Sequence, residues 1–327
     1  MKVKILLSRN TGIRYRFPQF MPYLMNYGME VELLRIPSSP MKFLSMANTL
    51  KNADIVVILR KLLSPWKQNV LRRVAKKIVF EYDDSIMYRS SRWSNQNSGT
   101  RSSRFEKMVK QSDLIIAGNQ FLKSEATKYV NRERVHVIPT VVDIERYAPR
   151  HYNEPKDKVI IGWLGSKGTL YYLKKLIPVL EEIGTRFPFA QLKIVCNDFL
   201  DVPNMAVIKK AWSEKDEVAD LQSFDIGLGP LTDDVWTRGK CGLKLVQYLA
   251  AGVPAVCSPV GANKEIVTNE EVGFWAHDER DWVEKLGMLI ENPGLRRDMG
   301  KKGVERIEKE YSLQAITPKI VDMLTQL

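Results

Sequence analysis

Paired cysteines are missing from this 327-residue sequence: there are three in all, Cys196, Cys241 and Cys257, with no CxxC spacing. An odd, scattered set argues against a disulfide framework or a structural zinc site and fits a reducing compartment. Long apolar runs are missing too. Stretches such as 55–59 fall far short of the ~20 residues of a membrane span. The opening MKVKILLSRN enters a short strand-like run with no signal-peptide core. These absences predict a soluble, cytoplasmic protein and leave open contact with a membrane surface. Neither short-period repeats nor low-complexity tracts occur, and 44% hydrophobic with 27% charged residues excludes a disordered or collagen-like chain. Acidic residues are the scarcer charge, 38 against 50 basic, so the net +12 asks for an anionic partner. A nucleotide diphosphate, an anionic lipid and a nucleic acid all satisfy it. No RNP, zinc-finger or helix-turn-helix signature supports the last.

The length suits two domains of ~150 residues. Short β-branched runs at 3–7, 31–34, 55–59, 78–82, 114–117 and 135–138 alternate with segments of helical length at 17–27, 65–76, 104–111 and 121–130. A polar stretch with two prolines follows, and 149–158 reads as a linker. The alternation then restarts, with strands at 159–163, 191–196, 205–208, 226–228, 255–257 and 273–275 and helices at 170–187, 214–222, 242–250, 280–291 and 294–310. Near-continuous apolar strands separated by helices mean a parallel sheet covered on both faces. The predicted fold is α/β, with two Rossmann-like doubly wound domains, 1–150 and 151–311, facing across a cleft, where ligands bind in such sheets.

Several segments carry chemistry. The first strand runs into SRNTGIRYR without the GxGxxG of a dinucleotide site. Gly12 permits close backbone approach, and Arg14 or Arg16 offers a planar fork for phosphate or carboxylate; a solvated basic turn fits equally. Strand four ends in FEYDDSIMY, where Asp83 and Asp84 repel unless one meets a cation, a sugar hydroxyl or a proton. One of them can instead cap a helix. In GWLGSKGTLYYL, Gly165 and Ser166 precede a long helix whose N-terminus suits an anion, although such turns also serve tightness alone. In DIGLGPLTDDVWTRGKCGLKLVQYLAAGVPAVCSPVG, a strand leads through Asp233, Asp234 and Trp236 to Arg238 and Lys240 and a helix starting near Gly242. Lys240 and Lys244 are four apart, so they share a helix face if the first turn begins by Lys240. Three cations at a positive helix end cost stability unless an anion sits among them, and a diphosphate fits.

That stretch, with GWLGSKGTLYYL before it and SPVGANKEIV after it, resembles the donor half of a GT-B glycosyltransferase of family 4, the retaining "glycosyl transferases group 1" class. EYDDSIMY, SDLIIAGNQFL and VIPTVVDIERY match the branch carrying GKCGxK…QY(L/M)AxGxP, so the similarity spans essentially the whole chain. The resemblance implies transfer of a sugar from a nucleotide-diphosphate donor to an acceptor hydroxyl, in surface polysaccharide or glycolipid assembly. No cofactor and no metal would be needed. The donor would lie in the C-terminal domain, the acceptor glycan or lipid-linked glycan in the N-terminal one, and 312–327 would pack back as a helix on the first domain. Asp83, Asp84, Lys240 and Lys244 take the catalytic places. Gly165, Ser166, Trp212, Asp233, Asp234, Arg238, Gly242 and Gln247 take donor-binding ones, and Gly12, Arg14, Arg16 and Asn119 lie on the acceptor or phosphate side.

Two departures matter. Many relatives carry two glutamates separated by seven residues; Gly239 stands at the first position and Gln247 at the second. Gln247 can still meet ribose hydroxyls as donor and acceptor. The sugar-binding role usual for the first is left open, with Asp233 or Asp234 able to fill it. The family's N-domain histidine is replaced, by the Asp83/Asp84 region. Trp212 either stacks a base or is a structural tryptophan. RKLLSPWKQNVLRRVAKKI has seven basic and no acidic residues, with Leu63, Trp66, Val70, Val74 and Ile78 near helical spacing. It suits either an anionic membrane surface or ordinary packing on a sheet. A binding or scaffold protein without turnover is the rival reading, because of Gly239.

Overall fold

The structure is a computed structural model that describes residues 1–8, 15–151 and 157–327. Gly12, Arg14 and residues 152–156 of the linker segment lie outside these residues. The chain divides into two compact units, 1–141 with 234–241 and 313–327, and 142–233 with 242–312.

In the first unit, β1 (Lys2–Leu7), β2 (Glu30–Arg35), β3 (Ile55–Leu59), β4 (Lys77–Tyr82), β5 (Leu114–Ala117) and β6 (Val135–Val137) form one sheet in the order β2-β1-β3-β4-β5-β6. Every pairing is parallel. Between the strands run α1 (Met21–Asn26), α2 (Pro40–Thr49), α3 (Pro65–Val74), α4 (Gly99–Gln111) and α5 (Gln120–Thr127). Side chains alternate across a strand. Accordingly Ile78, Phe80 and Tyr82 of β4 join Phe43, Leu71, Phe105 and Leu122 on one face, while Val79 joins Phe17, Phe20 and Leu24 on the other. The sheet reverses its winding between β1 and β3, the place where ligands bind in open α/β sheets.

The second unit repeats the plan. β7 (Val159–Leu164), β8 (Ala190–Val195), β9 (Ala206–Lys210), β10 (Ile226–Gly229), β11 (Ala255–Cys257) and β12 (Gly273–Trp275) pair in parallel, in the order β12-β11-β10-β7-β8-β9. The reversal here falls between β7 and β10. Its helices are α6 (Leu170–Lys174), α7 (Ile177–Arg186), α8 (Glu217–Gln222), α9 (Leu243–Ala250), α10 (Asn263–Ile266), α11 (Glu279–Glu291) and α12 (Pro293–Glu310). The single helix predicted over 170–187 is two, because Pro178 occupies the first turn of α7 and interrupts the hydrogen-bond ladder.

The last helix, α13 (Leu313–Thr325), returns to the first unit, where Leu313, Ile316, Ile320 and Leu324 cover the face that holds Val79. Residues 234–241, around a 3-10 turn at Thr237–Gly239, also belong to the first unit, with Cys241 on the opposite face beside Tyr82 and Leu122. α3 ends at Val74, and Ala75 is already extended. It buries Leu71 and Gln68; of the predicted stripe, Leu63 and Ile78 at its flanks are buried and Val70 and Val74 pack half-buried against the same core, while Trp66 alone is exposed. Among the described residues no helix is long and apolar enough to cross a membrane.

Candidate functional site

In the first unit the chemistry gathers at the carboxyl end of β4. Glu81 is 1% exposed and accepts a hydrogen bond from Arg16 Nε at 2.7 Å. Arg16, 3% exposed, also donates through Nη1 to the Ile138 carbonyl (3.3 Å) and Thr140 Oγ1 (3.2 Å). Arg16, predicted as an anion fork, is therefore the buried counter-ion of Glu81. Burial works against its charge, yet the pull of Glu81 and Asp83 prevails and raises its pKa.

Asp83 and Asp84 both meet cations, and neither caps a helix: α4 begins after Ser98. Asp83 Oδ1 pairs with Arg60 Nε at 2.6 Å, and its Oδ2 lies 3.8 Å from Arg16 Nε. Asp84 Oδ2 accepts from Arg60 Nη2, while its Oδ1 accepts from Lys240 Nζ at 2.8 Å. Burial above all, with Asp84 and Glu81, pushes the Asp83 carboxyl up while Arg60 and Arg16 pull it down, leaving it raised to about 6. A carboxyl poised there changes protonation state near neutrality, a property concentrated at functional sites. Arg60 escaped the sequence analysis. Its signal was an arginine directly after a wholly apolar strand.

Lys240 follows the 3-10 turn in extended conformation, and α9 starts only at Leu243 after Gly242 in the left-handed region (φ +63°). Lys240 and Lys244 thus share no helix face, contrary to the condition set by their spacing. Lys240 belongs to the first unit, 4.8 Å from the Trp236 ring centroid. Several bonds fasten its segment. Asn119 caps α5 by accepting from the Leu122 amide (2.9 Å) and donates to the carbonyls of Arg238 (3.1 Å) and Lys240 (3.0 Å). Ser85 Oγ donates to the Val235 carbonyl at 2.7 Å, and Cys241 Sγ to that of Asp83 at 3.2 Å. Asn119, predicted on the acceptor or phosphate side, is buried and holds backbone. Asp234 Oδ1 accepts from the amides of Trp236 (2.9 Å) and Thr237 (3.0 Å), which closes the turn. Arg238 is exposed. At Gly239 a Cβ would meet Ser85 Oγ at 2.0 Å and Ser85 N at 2.8 Å, so no side chain fits there.

In the second unit, Gly165 and Ser166 follow β7 beside the winding reversal. The Ser166 carbonyl accepts from the amides of Thr169 (2.8 Å) and Leu170 (3.1 Å), opening α6. A Cβ at Gly165 would lie 2.4 Å from the Trp163 ring. Trp163 is fully buried, and Lys244 Nζ stands 4.3 Å from its ring centroid. Gly165, Trp163 and Lys244 therefore assemble at one end of the sheet, with Gly242 supplying the side-chain-free N-cap of α9. Asp233 is exposed on the loop after β10.

Gln247 is 1% exposed and donates to Tyr147 Oη at 3.0 Å. Tyr147 Oη donates to Glu217 Oε1 at 2.6 Å, and Trp212 Nε1 donates to Glu217 Oε2 at 2.8 Å. The glutamine predicted to meet a ribose is thus inside a buried network, which ends in a half-buried Trp212 whose indole edge is fixed. Tyr147 and Glu217 were not anticipated; Glu217 read only as part of a helix. Among the described residues no group of three or more His, Cys, Asp or Glu side chains is arranged to hold a metal ion.

A profile of the family described as "Glycosyl transferase-like" matches residues 176–322. Over 86 residues the chain is 29% identical to trehalose synthase of Pyrococcus horikoshii, a match covering 26% of this chain and 21% of that protein. It thus spans about a fifth of the relative's length. Sucrose-phosphate synthase from Thermosynechococcus elongatus superposes with a TM-score of 0.76 at 15% identity, over 99% of this chain and 98% of that one. Anabaena HepE in complex with UDP and glucose gives 0.71 at 14%, over the whole of both chains. The chain has the GT-B fold, and its residues 176–322 resemble the glycosyl transferase-like family.

Proposed function

We propose that the protein is a retaining, metal-independent glycosyltransferase of family 4 that moves a sugar from a nucleotide-diphosphate donor to an acceptor hydroxyl in surface polysaccharide or glycolipid assembly. The supporting observation is the placement of Lys244 beside Trp163 and Gly165 at the winding reversal of the second unit, next to the amino end of α9. A lysine at a positive helix end is unfavourable alone and favourable around a diphosphate. HepE, of the same fold, is described with UDP and glucose bound.

In this reading the second unit, within 151–311, holds the donor. Lys244 and backbone amides take the diphosphate and Trp212 takes the base. The first unit, within 1–150, presents Asp83 and Asp84 to the acceptor. The acceptor hydroxyl attacks the anomeric carbon on the face the diphosphate leaves, so configuration is retained. The hydroxyl proton ends on the departing diphosphate oxygen. Fixed cations stabilise the growing phosphate charge, the main catalytic contribution.

We place the acceptor on a lipid and the enzyme at an anionic membrane. Met41 (80% exposed), Leu44 and Trp66 lie bare on α2 and α3, and Lys42, Lys61, Lys67 and Arg73 belong to the same stretch of chain. Trp66 meets Phe43 edge-on, with ring centroids 5.3 Å apart. Apolar anchors beside lysines suit a charged bilayer surface.

The second reading, a GT-B protein that binds donor without turnover, is favoured by Gly239, where no carboxylate can stand. A thermal-shift panel of UDP-, GDP-, ADP- and dTDP-sugars, followed by nucleoside diphosphate release, tests both. One donor should raise the melting point, and Lys244→Ala should weaken it about 10- to 100-fold, as for a charge-assisted hydrogen bond of ~1.5–3 kcal/mol. Stabilisation by none of the four, or equal binding by the variant, refutes the donor site. Binding without release favours the silent protein.

A further inference from the structure

β3 ends at Leu59, and Arg60 immediately adopts φ +51° while its amide donates to the Glu81 carbonyl at 2.8 Å. An L-residue in the left-handed region costs ~1–2 kcal/mol. Backbone outliers of this kind collect at functional sites. This one sits beside the winding reversal of the first sheet and turns a single guanidinium onto two carboxylates. Nε reaches Asp83 Oδ1 at 2.6 Å and Nη2 reaches Asp84 Oδ2. A planar fork suits this double contact; an ammonium is a point charge and does not reproduce it.

We infer that Arg60 is a positioning residue for the proposed transfer: its fork fixes the carboxylates of Asp83 and Asp84 so that Asp83 accepts a hydrogen bond from an acceptor hydroxyl beside the attacking one, whose own proton goes to the departing diphosphate. This rests on the transferase reading. No atom is transferred to Arg60; it acts through Asp83. The groups that face Asp83 are Arg16 from the segment after β1, Arg60 from the end of β3, Glu81 and Asp84 from β4 and its extension, and the Cys241 thiol from the segment after the 3-10 turn. Lys240 reaches Asp84 from that same segment. Arg60 is the largest influence opposing burial at Asp83.

The test pairs a readout of the carboxyl with a readout of turnover. The Asp83 carboxyl is followed by carbon NMR titration, assigned with Asp83→Asn, in wild type, Arg60→Gln and Arg60→Lys. Nucleoside diphosphate release from the donor found in the thermal-shift panel is followed from pH 5 to 9 in the same proteins. In Arg60→Gln the Asp83 midpoint should rise by about 1–3 pH units, and the acid limb of the release profile should rise with it. For a rise of two from about 6, release at pH 7 falls about tenfold and recovers toward pH 9. Arg60→Lys keeps the charge, so its midpoint should stay near wild type while kcat falls at every pH and the donor KM holds. That split separates aim from charge and stands even if Arg60→Gln fails to fold. A midpoint unmoved in Arg60→Gln overturns the inference. So does a moved midpoint with an unmoved acid limb, or full kcat in Arg60→Lys, each leaving the transferase reading intact. Absence of release in wild type removes that reading, and this role for Arg60 with it.

Discussion

Replacing Arg16 with methionine isolates the physics of the first unit. The wild-type guanidinium is 3% exposed and its partner Glu81 1%, so the change strands a carboxylate that has almost no water to turn to. Glu81 Oε2 already lacks a hydrogen-bond partner, and the variant deprives Oε1 of its own as well. Breaking a buried pair from one side costs ~3–5 kcal/mol, whereas replacing both members with apolar groups is near neutral or stabilising. Arg16→Met should therefore lose ~3–5 kcal/mol at pH 8, and Arg16→Met/Glu81→Leu should regain most of it. The pH dependence follows from the stranded charge. Without Arg16, which pulls it down, the Asp83 carboxyl binds protons still more readily in the folded state than in the unfolded one, so the deficit shrinks as pH falls toward 5. In the wild type the Asp83 carboxyl, raised to about 6, works the same way: its contribution is fully present below the unfolded pKa near 4 and is lost as pH rises through 6. Asp83→Asn should flatten that slope. The assay is amide hydrogen exchange of peptides covering β4 and β5, which reports opening of this unit separately from the other. A deficit under ~1 kcal/mol in Arg16→Met at pH 8, or a double variant no better than the single, would refute the reasoning.

Two further outcomes follow from the contacts described. Asn119→Ala removes the cap of α5 and both tethers to the Lys240 segment, so amides of 237–241 should exchange about ten- to a hundredfold faster, the effect of ~1–3 kcal/mol, while β8 peptides stay unchanged; equal protection would mean that other bonds hold the segment. The protein should sediment with vesicles of phosphatidylglycerol and not with phosphatidylcholine, and neutralising Lys42, Lys61 and Arg73 together to glutamine should weaken this about a hundredfold at ~1 kcal/mol per charge; sedimentation indifferent to lipid charge would remove the membrane proposal.

The strands could be read in the sequence because a strand buried on both faces leaves a continuous apolar run, as IVVIL of β3 does. α2 could not: only Phe43 and Ala47 of its ten residues are buried, too few to mark a stripe. Prolines explain two further differences. Pro18 and Pro22 divide the segment predicted as a helix at 17–27 into a 3-10 turn and the short α1, as Pro178 divides α6 from α7.

The candidate site was legible to the extent that its physics is local. Two adjacent aspartates at a strand end must find cations or protons, whatever the fold. Which cations answer depends on strand order and register: Arg60 reaches them because β3 lies beside β4 with Leu59 opposite Glu81, and nothing in either segment alone states that pairing. Lys240 and Lys244 share no helix face for the complementary reason. Spacing of four means a shared face only inside a helix, and Gly242, left-handed between them, starts the helix too late. The same residue that spoils the argument also ends the segment packed with the first unit, since residues 234–241 group there and the second unit resumes at 242. A left-handed residue at that junction lets Lys240 serve Asp84 while Lys244 stands over Trp163, so two lysines that look like one cluster in the sequence perform separate electrostatic tasks.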